Sequence, residues 1–160
     1  MTAITGEYLA ALKANVIGDM DTLARLRDLL EERDGPRSGE IYGALYSVTL
    51  ATAARRVFPG GYTSATRADI IRLVARMRGA VAGTDDDFNP RVAEHVLVSM
   101  LGGPEDIETL DKEDLAEAIV MLIGGLLAYL GIEESGIDDF LADVLPLAEA
   151  SFARQQSASQ

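Results

Sequence analysis

The sequence has no cysteine and no tryptophan, and its only histidine is His95. The absence of cysteine excludes disulfide bonds, thiolate zinc sites and a cysteine nucleophile. A single histidine also removes most zinc sites and most serine–histidine arrangements, because these need several imidazoles or an imidazole beside a nucleophile. The residue types that carry most enzyme chemistry are therefore scarce. The composition favours a protein without catalytic activity, for which we expect no cofactor.

The sequence also lacks a basic leader and a long apolar run. Residues 1–7 contain no basic region followed by an apolar stretch, unlike a secretory signal. The longest uncharged apolar segment, residues 118–132, is too short to cross a bilayer reliably and is flanked by acidic side chains. We therefore expect a cytoplasmic protein with no membrane partner.

Positive charge is scarce, since 14 basic residues face 26 acidic ones, for a formal net charge of −12. Residues 83–153 carry 17 acidic and two basic side chains, whereas residues 1–82 carry nine acidic and 11 basic ones. An acidic surface of this kind repels the phosphates of nucleic acids and of anionic lipids. We therefore do not expect nucleic acid as a partner, and the charge is typical of a solubilising surface.

Helical spacing of apolar residues recurs along nearly the whole chain, and no segment shows sustained alternation over strand length. This pattern predicts an all-α fold, a single-domain helical bundle or orthogonal helical array of about seven to eight helices. The domain is expected to span residues 1–154, with a disordered tail at 155–160. The segment from Leu115 to Leu130 is predicted to be the central apolar helix, buried in a bundle or in a subunit interface.

Local signals predict helix boundaries in the second half of the chain. Thr66 has an acidic residue three positions later, which is the spacing of a helix start, so a helix is expected over residues 66–78. The last helix is expected from about Ile137 to Ala153. It should be kinked or restarted at Pro146, because proline removes a backbone donor and clashes with the preceding turn.

Several arginines surround a glycine-rich loop near residue 60. Glycine amides, hydroxyl groups and the N-terminus of the next helix can together bind a phosphate or a carboxylate. The candidate anion site comprises Arg55, Arg56, Gly60, Gly61, Ser64 and Arg67. No lysine follows the glycines at the spacing of a phosphate-binding loop. The alternative is that these arginines pair with the acidic half of the same chain or of a partner subunit.

Two acidic clusters are candidate cation sites. Asp85 and Asp87 alternate like the opening of a calcium loop, but proline and valine occupy the positions of its glycine and bidentate glutamate. Asp139 and Asp143 lie one helical turn apart and can hold a divalent ion together. The simpler interpretation is that all four carboxylates solvate a loop and a helix start.

Two further interpretations concern single features. His95 is a candidate general base or ligand, although a histidine at the edge of an apolar stripe usually forms only a local hydrogen bond. The arginine-bearing helix after Thr66 is a candidate DNA recognition helix. The longer loop before it and the negative charge of the chain weigh against that role.

Three function hypotheses remain open. The leading one is a non-catalytic helical interaction or regulatory protein that forms a homodimer or binds another protein. It rests on the scarcity of catalytic residue types and the abundance of apolar helical surface. The second is a domain that binds a small anion or a phosphate-bearing ligand through residues 55–67. The third is a carboxylate–metal hydrolase built on the two acidic clusters.

Overall fold

The computed structural model describes residues 3–160, and within them the chain folds into seven α-helices and one 3-10 turn, with no strand. The elements in chain order are α1 (Gly6–Ile17), α2 (Met20–Asp34), α3 (Arg37–Val57), α4 (Ser64–Val81), α5 (Pro90–Met100), the 3-10 turn (Ile107–Thr109), α6 (Lys112–Tyr129) and α7 (Glu134–Ala158). The predicted all-α fold with about seven helices is confirmed.

The helices are divided between two compact units. Unit 1 comprises the described residues up to Thr49 together with Ile132–Gln160, and unit 2 comprises Leu50–Gly131. Unit 1 therefore contains α1, α2, the first part of α3 and α7. Unit 2 contains the end of α3, then α4, α5, the 3-10 turn and α6. The single domain over residues 1–154 stays a prediction.

Unit 1 is built on the packing of α1 against α2, with α7 also contacting α1. Gly18 ends α1, and the Asp19 carboxylate then caps α2 by accepting a 3.3 Å hydrogen bond from the Thr22 amide. The largest fully buried side chains of this unit include Tyr8, Leu12, Leu30, Ile41 and Leu45. Their burial removes apolar surface from water, which is the main source of stability for such a core.

In unit 2, α5 packs against both α4 and α6. The Asn89 side chain caps α5 and Pro90 is its first residue, as the sequence predicts. The loop that joins α4 to α5 returns to α4 at its end, because Asp87 of the loop pairs with Arg78 of α4 at 3.2 Å. At the opposite end of these two helices, the amide of Tyr62, which precedes α4, donates a 2.9 Å hydrogen bond to the carbonyl of Leu101, which follows α5. These contacts place α4 and α5 side by side in antiparallel orientation.

The predicted start of α4 is wrong by two residues. The helix begins at Ser64, because Thr63 is the cap and forms reciprocal hydrogen bonds with Thr66. The Thr66 hydroxyl accepts from the Thr63 amide at 2.8 Å, so threonine takes the place that glutamate usually has in such a capping box. Thr66 is therefore the third residue of the helix and the hydrogen-bond partner of the capping residue. It does not itself precede the helix.

The predicted restart of the last helix at Pro146 is wrong, since α7 is continuous through that residue, and the predicted kink there stays a prediction. Buried side chains recur at helical spacing on both sides of the proline: Ile137, Phe140, Leu141, Val144, Ala148 and Phe152. Pro146 itself is exposed, as is Ala142, whose carbonyl loses its helical partner and can bind water instead. Burial of the stripe offsets the proline's cost.

The helix α7 ends at Ala158, so the structure extends it through most of the segment 155–160 that the sequence predicts to be disordered. The Gln156 side chain donates a 3.1 Å hydrogen bond to Glu40 on α3, within unit 1. Phe152, only 3% exposed, fixes the preceding turn. The polar composition of the tail gave no indication of this continuation.

The segment predicted to be the central helix forms α6. Its buried side chains share one face: Ala118, Leu122, Ile123, Leu126 and Leu127. Tyr129 at its end is 57% exposed, and a place for this segment in a subunit interface stays a prediction. Gly125 allows a close approach, because a Cβ there would lie 2.6 Å from the sulfur of Met77 on α4.

Candidate functional site

The backbone amides of the predicted anion-binding loop are largely engaged within the protein. The Gly61 amide donates to the Phe58 carbonyl at 3.0 Å, and the Tyr62 amide donates to Leu101. The capping box uses the amides of Thr63 and Thr66. Gly61 has φ +70°, a conformation that favours glycine, so its role is to form this turn. The Gly61 amide is therefore not available to a phosphate.

The arginines of the predicted anion site have different surroundings. Arg55 and Arg56 lie exposed in the last turn of α3. Arg67 lies on α4 and pairs with Glu105 at 3.5 Å. The pKa of Arg67 is raised above its ordinary value, chiefly by a hydrogen bond with the Tyr62 side chain and further by Glu105. Anion binding by the predicted set, with Ser64, stays a prediction.

The first predicted cation cluster does not act as one group. The Asp87 carboxylate accepts hydrogen bonds from the Gly83 amide at 3.2 Å, the Phe88 amide at 2.8 Å and Arg78. These bonds lower the pKa of Asp87, the Gly83 amide having the largest effect. Asp85 is exposed in the same loop. Asp87 therefore organises the turn that joins α4 to α5.

The second predicted cation pair, Asp139 and Asp143, lies on the exposed side of α7. Across residues 3–160, no group of three or more histidine, cysteine, aspartate or glutamate side chains is placed to hold a metal ion. Two carboxylates on one helix supply fewer ligands than the six to eight oxygens that calcium takes. The carboxylate–metal hydrolase stays a prediction that no contact in the described residues favours.

Unit 2 contains a concave pocket of about 280 Å³ between α4 and α5, which we call the α4–α5 pocket. Its lining residues are Arg67, Ile70 and Ile71 of α4, Arg91, Glu94, His95 and Val98 of α5, and Glu105 from the segment before the 3-10 turn. The α4 members follow the spacing i, i+3, i+4, and the α5 members the spacing i, i+3, i+4, i+7. Each helix therefore presents one face to the pocket.

His95 closes one side of the α4–α5 pocket. Its Nε2 lies 3.0 Å from the Asp106 carbonyl and 3.3 Å from a carboxylate oxygen of Glu105. Because a carbonyl only accepts, Nε2 carries the proton and donates it, which leaves Nδ1 as the acceptor in the neutral ring. Glu105 also pairs with Arg67, so one carboxylate connects α4 to the histidine on α5. The local hydrogen bond expected for His95 is present.

Arg91 and Glu94 differ from these neighbours. Within residues 3–160, neither side chain forms an ion pair, although both line the same pocket. Neither residue belongs to a site predicted from the sequence. The spacing of Arg91, Glu94 and His95 on one helical face was visible in the sequence. The participation of Glu105 was not, because it depends on how the loop after α5 folds back.

Unit 1 contains a larger and more apolar concavity of about 600 Å³ between α1 and α7, which we call the α1–α7 groove. The α1 side consists of Gly6, Leu9, Ala10, Lys13, Ala14 and Ile17. The α7 side consists of Glu134, Asp138, Leu141, Ala142 and Leu145, and Asp19 and Thr22 close the end near α2. Small and aliphatic side chains therefore line most of the groove.

One ion pair crosses the α1–α7 groove. The Lys13 ammonium lies 3.0 Å from Oδ2 of Asp138, with 25% and 72% of the two side chains exposed. Exposed pairs of this kind contribute about 0–1 kcal/mol to stability. Asp19 and Glu134 add acidic charge nearer the ends of the groove. The groove thus has an apolar lining with charges of both signs.

A tyrosine cluster lies in unit 1 outside the groove. The Tyr8 and Tyr42 rings meet edge to face with centroids 5.1 Å apart, and Tyr46 lies next to Tyr42. Burial raises the pKa of Tyr42 to about 12. Its hydroxyl is buried and has no hydrogen-bond partner among the described residues. The Tyr46 hydroxyl, in contrast, accepts from the Asn15 side chain at 3.0 Å.

Comparison with known proteins identifies no relative: no family model, no curated protein and no solved structure matches the chain. Among the helices of residues 3–160, none combines the length and apolarity to cross a bilayer alone, although α6 and α7 taken together pass that test.

Proposed function

We propose that the protein is a non-catalytic helical interaction protein that forms a homodimer through its α1–α7 groove. The supporting observation is that an apolar concavity and apolar protrusions lie side by side. Ile17, 38% exposed, lines the groove, and Met20, 51% exposed, follows three residues later at the start of α2. A two-fold dimer uses the same patch on both copies, so the patch must contain both the cavity and what fills it.

The lining of the groove suits a helix of a second copy. Gly6, Ala10 and Ala14 on α1 and Ala142 on α7 have small side chains or none. Helices pack at interaxial distances of about 8–10 Å, and small side chains at the contact favour the shorter end of that range. Leu9, Leu141 and Leu145 supply the aliphatic walls. This is the helix-in-groove arrangement, in which buried apolar anchors provide most of the affinity.

The charges of the groove also suit a second copy. Lys13 on one copy can exchange its partner Asp138 for the same carboxylate of the other copy, or pair with Glu134 there. Complementary rim charges fix the register of an interface more than they add affinity. The net charge of −12 opposes association of two chains, and this long-range repulsion is screened by salt.

The test is a matched pair of substitutions in unit 1. Ala10→Glu places a carboxylate in the groove, whereas Ala24→Glu places one on the exposed surface of α2 outside it. Both positions are exposed alanines in helices, so the two changes cost similar free energy in the folded monomer. Burying an unpaired carboxylate in an interface costs several kcal/mol.

Sedimentation velocity over a range of protein concentrations gives the result. We expect the wild type and Ala24→Glu to dimerise, and Ala10→Glu to have a dissociation constant at least about tenfold higher, which corresponds to about 1.4 kcal/mol. Equal dissociation constants for the two variants would place the interface elsewhere and contradict the proposal.

A further inference from the structure

We infer that the α4–α5 pocket is a binding site for a small zwitterion, an α-amino acid with an aliphatic side chain. This goes beyond the proposed function, because the pocket belongs to unit 2 and no residue of the α1–α7 groove takes part. The inference is independent of the dimer, so either can fail without the other.

The charges of the pocket indicate a ligand that carries both signs. Two arginines, Arg67 and Arg91, and two glutamates, Glu94 and Glu105, line it. Arg67 and Glu105 already pair with each other at 3.5 Å. A purely anionic ligand would meet two carboxylates and a purely cationic one would meet two guanidinium groups, so a lining of balanced charge favours a ligand of zero net charge.

Arg91 and Glu94 are the groups available for such a ligand. Neither forms an ion pair within the described part of the chain, although they are three residues apart on α5. Side chains at this spacing start about 5–6 Å apart on the same helical face. A ligand with a carboxylate and an ammonium on one carbon can bind both, since guanidinium groups bind carboxylates in bidentate fashion.

The remaining lining residues are aliphatic, and Ile71 is the one among them with appreciable exposed surface. Ile71 is 43% exposed, whereas Ile70 on the same helix is fully buried and Val98 is only 2% exposed. Val98 lines the α5 side. An aliphatic ligand side chain would remove the exposed surface of Ile71 from water, which is favourable in proportion to the area covered. The volume of about 280 Å³ lies at the small end of ligand pockets and suits a molecule of amino-acid size.

The protein provides its own probe, because His95 is the only histidine and lines the pocket. The experiment follows the imidazole resonances of His95 by NMR while L-leucine is added to about 10 mM, enough to saturate a site with a dissociation constant of about 1 mM. Two fragments of leucine serve as comparisons: 4-methylpentanoate, which lacks the ammonium, and isopentylamine, which lacks the carboxylate. We expect a saturable shift with leucine and at least about tenfold weaker binding of each fragment.

Two variants test which side chains of the pocket bind the carboxylate and the ammonium of the ligand. Arg91→Gln should weaken leucine binding at least about tenfold, and Glu94→Gln should remove the preference for leucine over 4-methylpentanoate. Arg76→Gln, at an exposed position of α4 outside the pocket, is the matched control and should bind as the wild type does. Circular dichroism checks that each variant is folded. The inference is overturned if leucine leaves the His95 resonances unchanged, if a fragment binds as tightly as leucine, or if Arg76→Gln causes the same loss as Arg91→Gln.

Discussion

The Tyr8 hydroxyl donates a 2.6 Å hydrogen bond to Oδ2 of Asp34, which joins the first helix of unit 1 to the end of the second. Arg33 approaches the same carboxylate through Nε at 3.1 Å and Nη2 at 3.0 Å. These bonds lower the pKa of Asp34 below its ordinary value of 3.8, the Arg33 hydrogen bond having the largest effect and the Tyr8 bond the next. Burial and the same carboxylate raise the pKa of Tyr8.

This arrangement predicts a pH dependence of stability. Because the pKa of Asp34 is lower in the folded state than in the unfolded chain, its ionisation stabilises the fold above pH 3.8. That contribution is lost as the pH falls through the folded-state pKa. We therefore expect the free energy of unfolding to fall less steeply with decreasing pH in Asp34→Asn than in the wild type. Urea unfolding at a series of pH values between neutrality and this acid range measures it.

The control for Asp34 is Asp28→Asn, which changes an exposed carboxylate on the same helix. It should leave the acid dependence close to that of the wild type. The Asp34 account is contradicted if the two variants change the slope of stability against pH by the same amount.

The continuity of α7 makes a prediction about Pro146. Proline in a helix interior costs about 3 kcal/mol relative to alanine, and both Pro146 and Ala142 are exposed, so alanine fits without a clash. Pro146→Ala should raise the free energy of unfolding by about 1–3 kcal/mol and slightly increase helicity by circular dichroism. An unchanged stability would instead support two separate helices that meet at this residue.

Two glycines in helices should respond differently to substitution by alanine. Gly79 on α4 has open space around it, so Gly79→Ala should stabilise the protein by about 0.5–1 kcal/mol through helix propensity. At Gly125 the new methyl group would meet Met77, so Gly125→Ala should gain less or lose stability. Urea unfolding of both variants measures the difference.

A double mutant separates packing from propensity at Gly125. With Met77→Ala in the background, the obstruction is gone, and Gly125→Ala should recover a gain like that of Gly79→Ala. A loss of equal size with and without Met77 would show that the α4–α6 contact is not what requires glycine.

The carboxylate–metal hydrolase hypothesis predicts that a bound metal ion raises the melting temperature. The contacts of Asp87 do not favour such an effect. Its carboxylate is already bonded to two backbone amides and Arg78, which a cation would have to displace. We expect the melting temperature to be the same with a chelator, with magnesium and with manganese. A rise of several degrees with either metal would revive the carboxylate–metal hydrolase, and Asp139→Asn and Asp87→Asn would then locate the site.

The fold class was readable from the sequence because apolar spacing of 3.6 residues is strong in nearly every segment. The start of α5 at Asn89 and Pro90 was also readable, since that pair is a local signal. The continuation of α7 was not, because local rules penalise Pro146 while the compensating burial of Phe152 depends on packing. The cap of α4 at Thr63 was also not readable, because its partner in the capping box is the threonine Thr66 in place of the usual glutamate.

The candidate sites were only partly readable. The charge of Arg67 predicts a place in an anion site, but the structure places this residue with Arg91, Glu94 and Glu105 in the lining of the α4–α5 pocket. Tertiary packing decides which helices lie next to each other. The positions of arginines within one segment of the sequence therefore cannot predict that α4 faces α5. The groove between α1 and α7 joins segments more than 100 residues apart, as the Lys13–Asp138 separation of 125 positions shows. No local pattern predicts that pairing.

The central claim is that the chain forms a homodimer, and sedimentation equilibrium of the wild-type chain tests it most directly. We predict a mass approaching twice the 17.1 kDa of one chain as the concentration rises. The dissociation constant should decrease when the salt concentration is raised from about 0.05 M to about 0.5 M, because screening weakens the repulsion between two chains of charge −12. A mass of one chain at every concentration and salt would contradict the account.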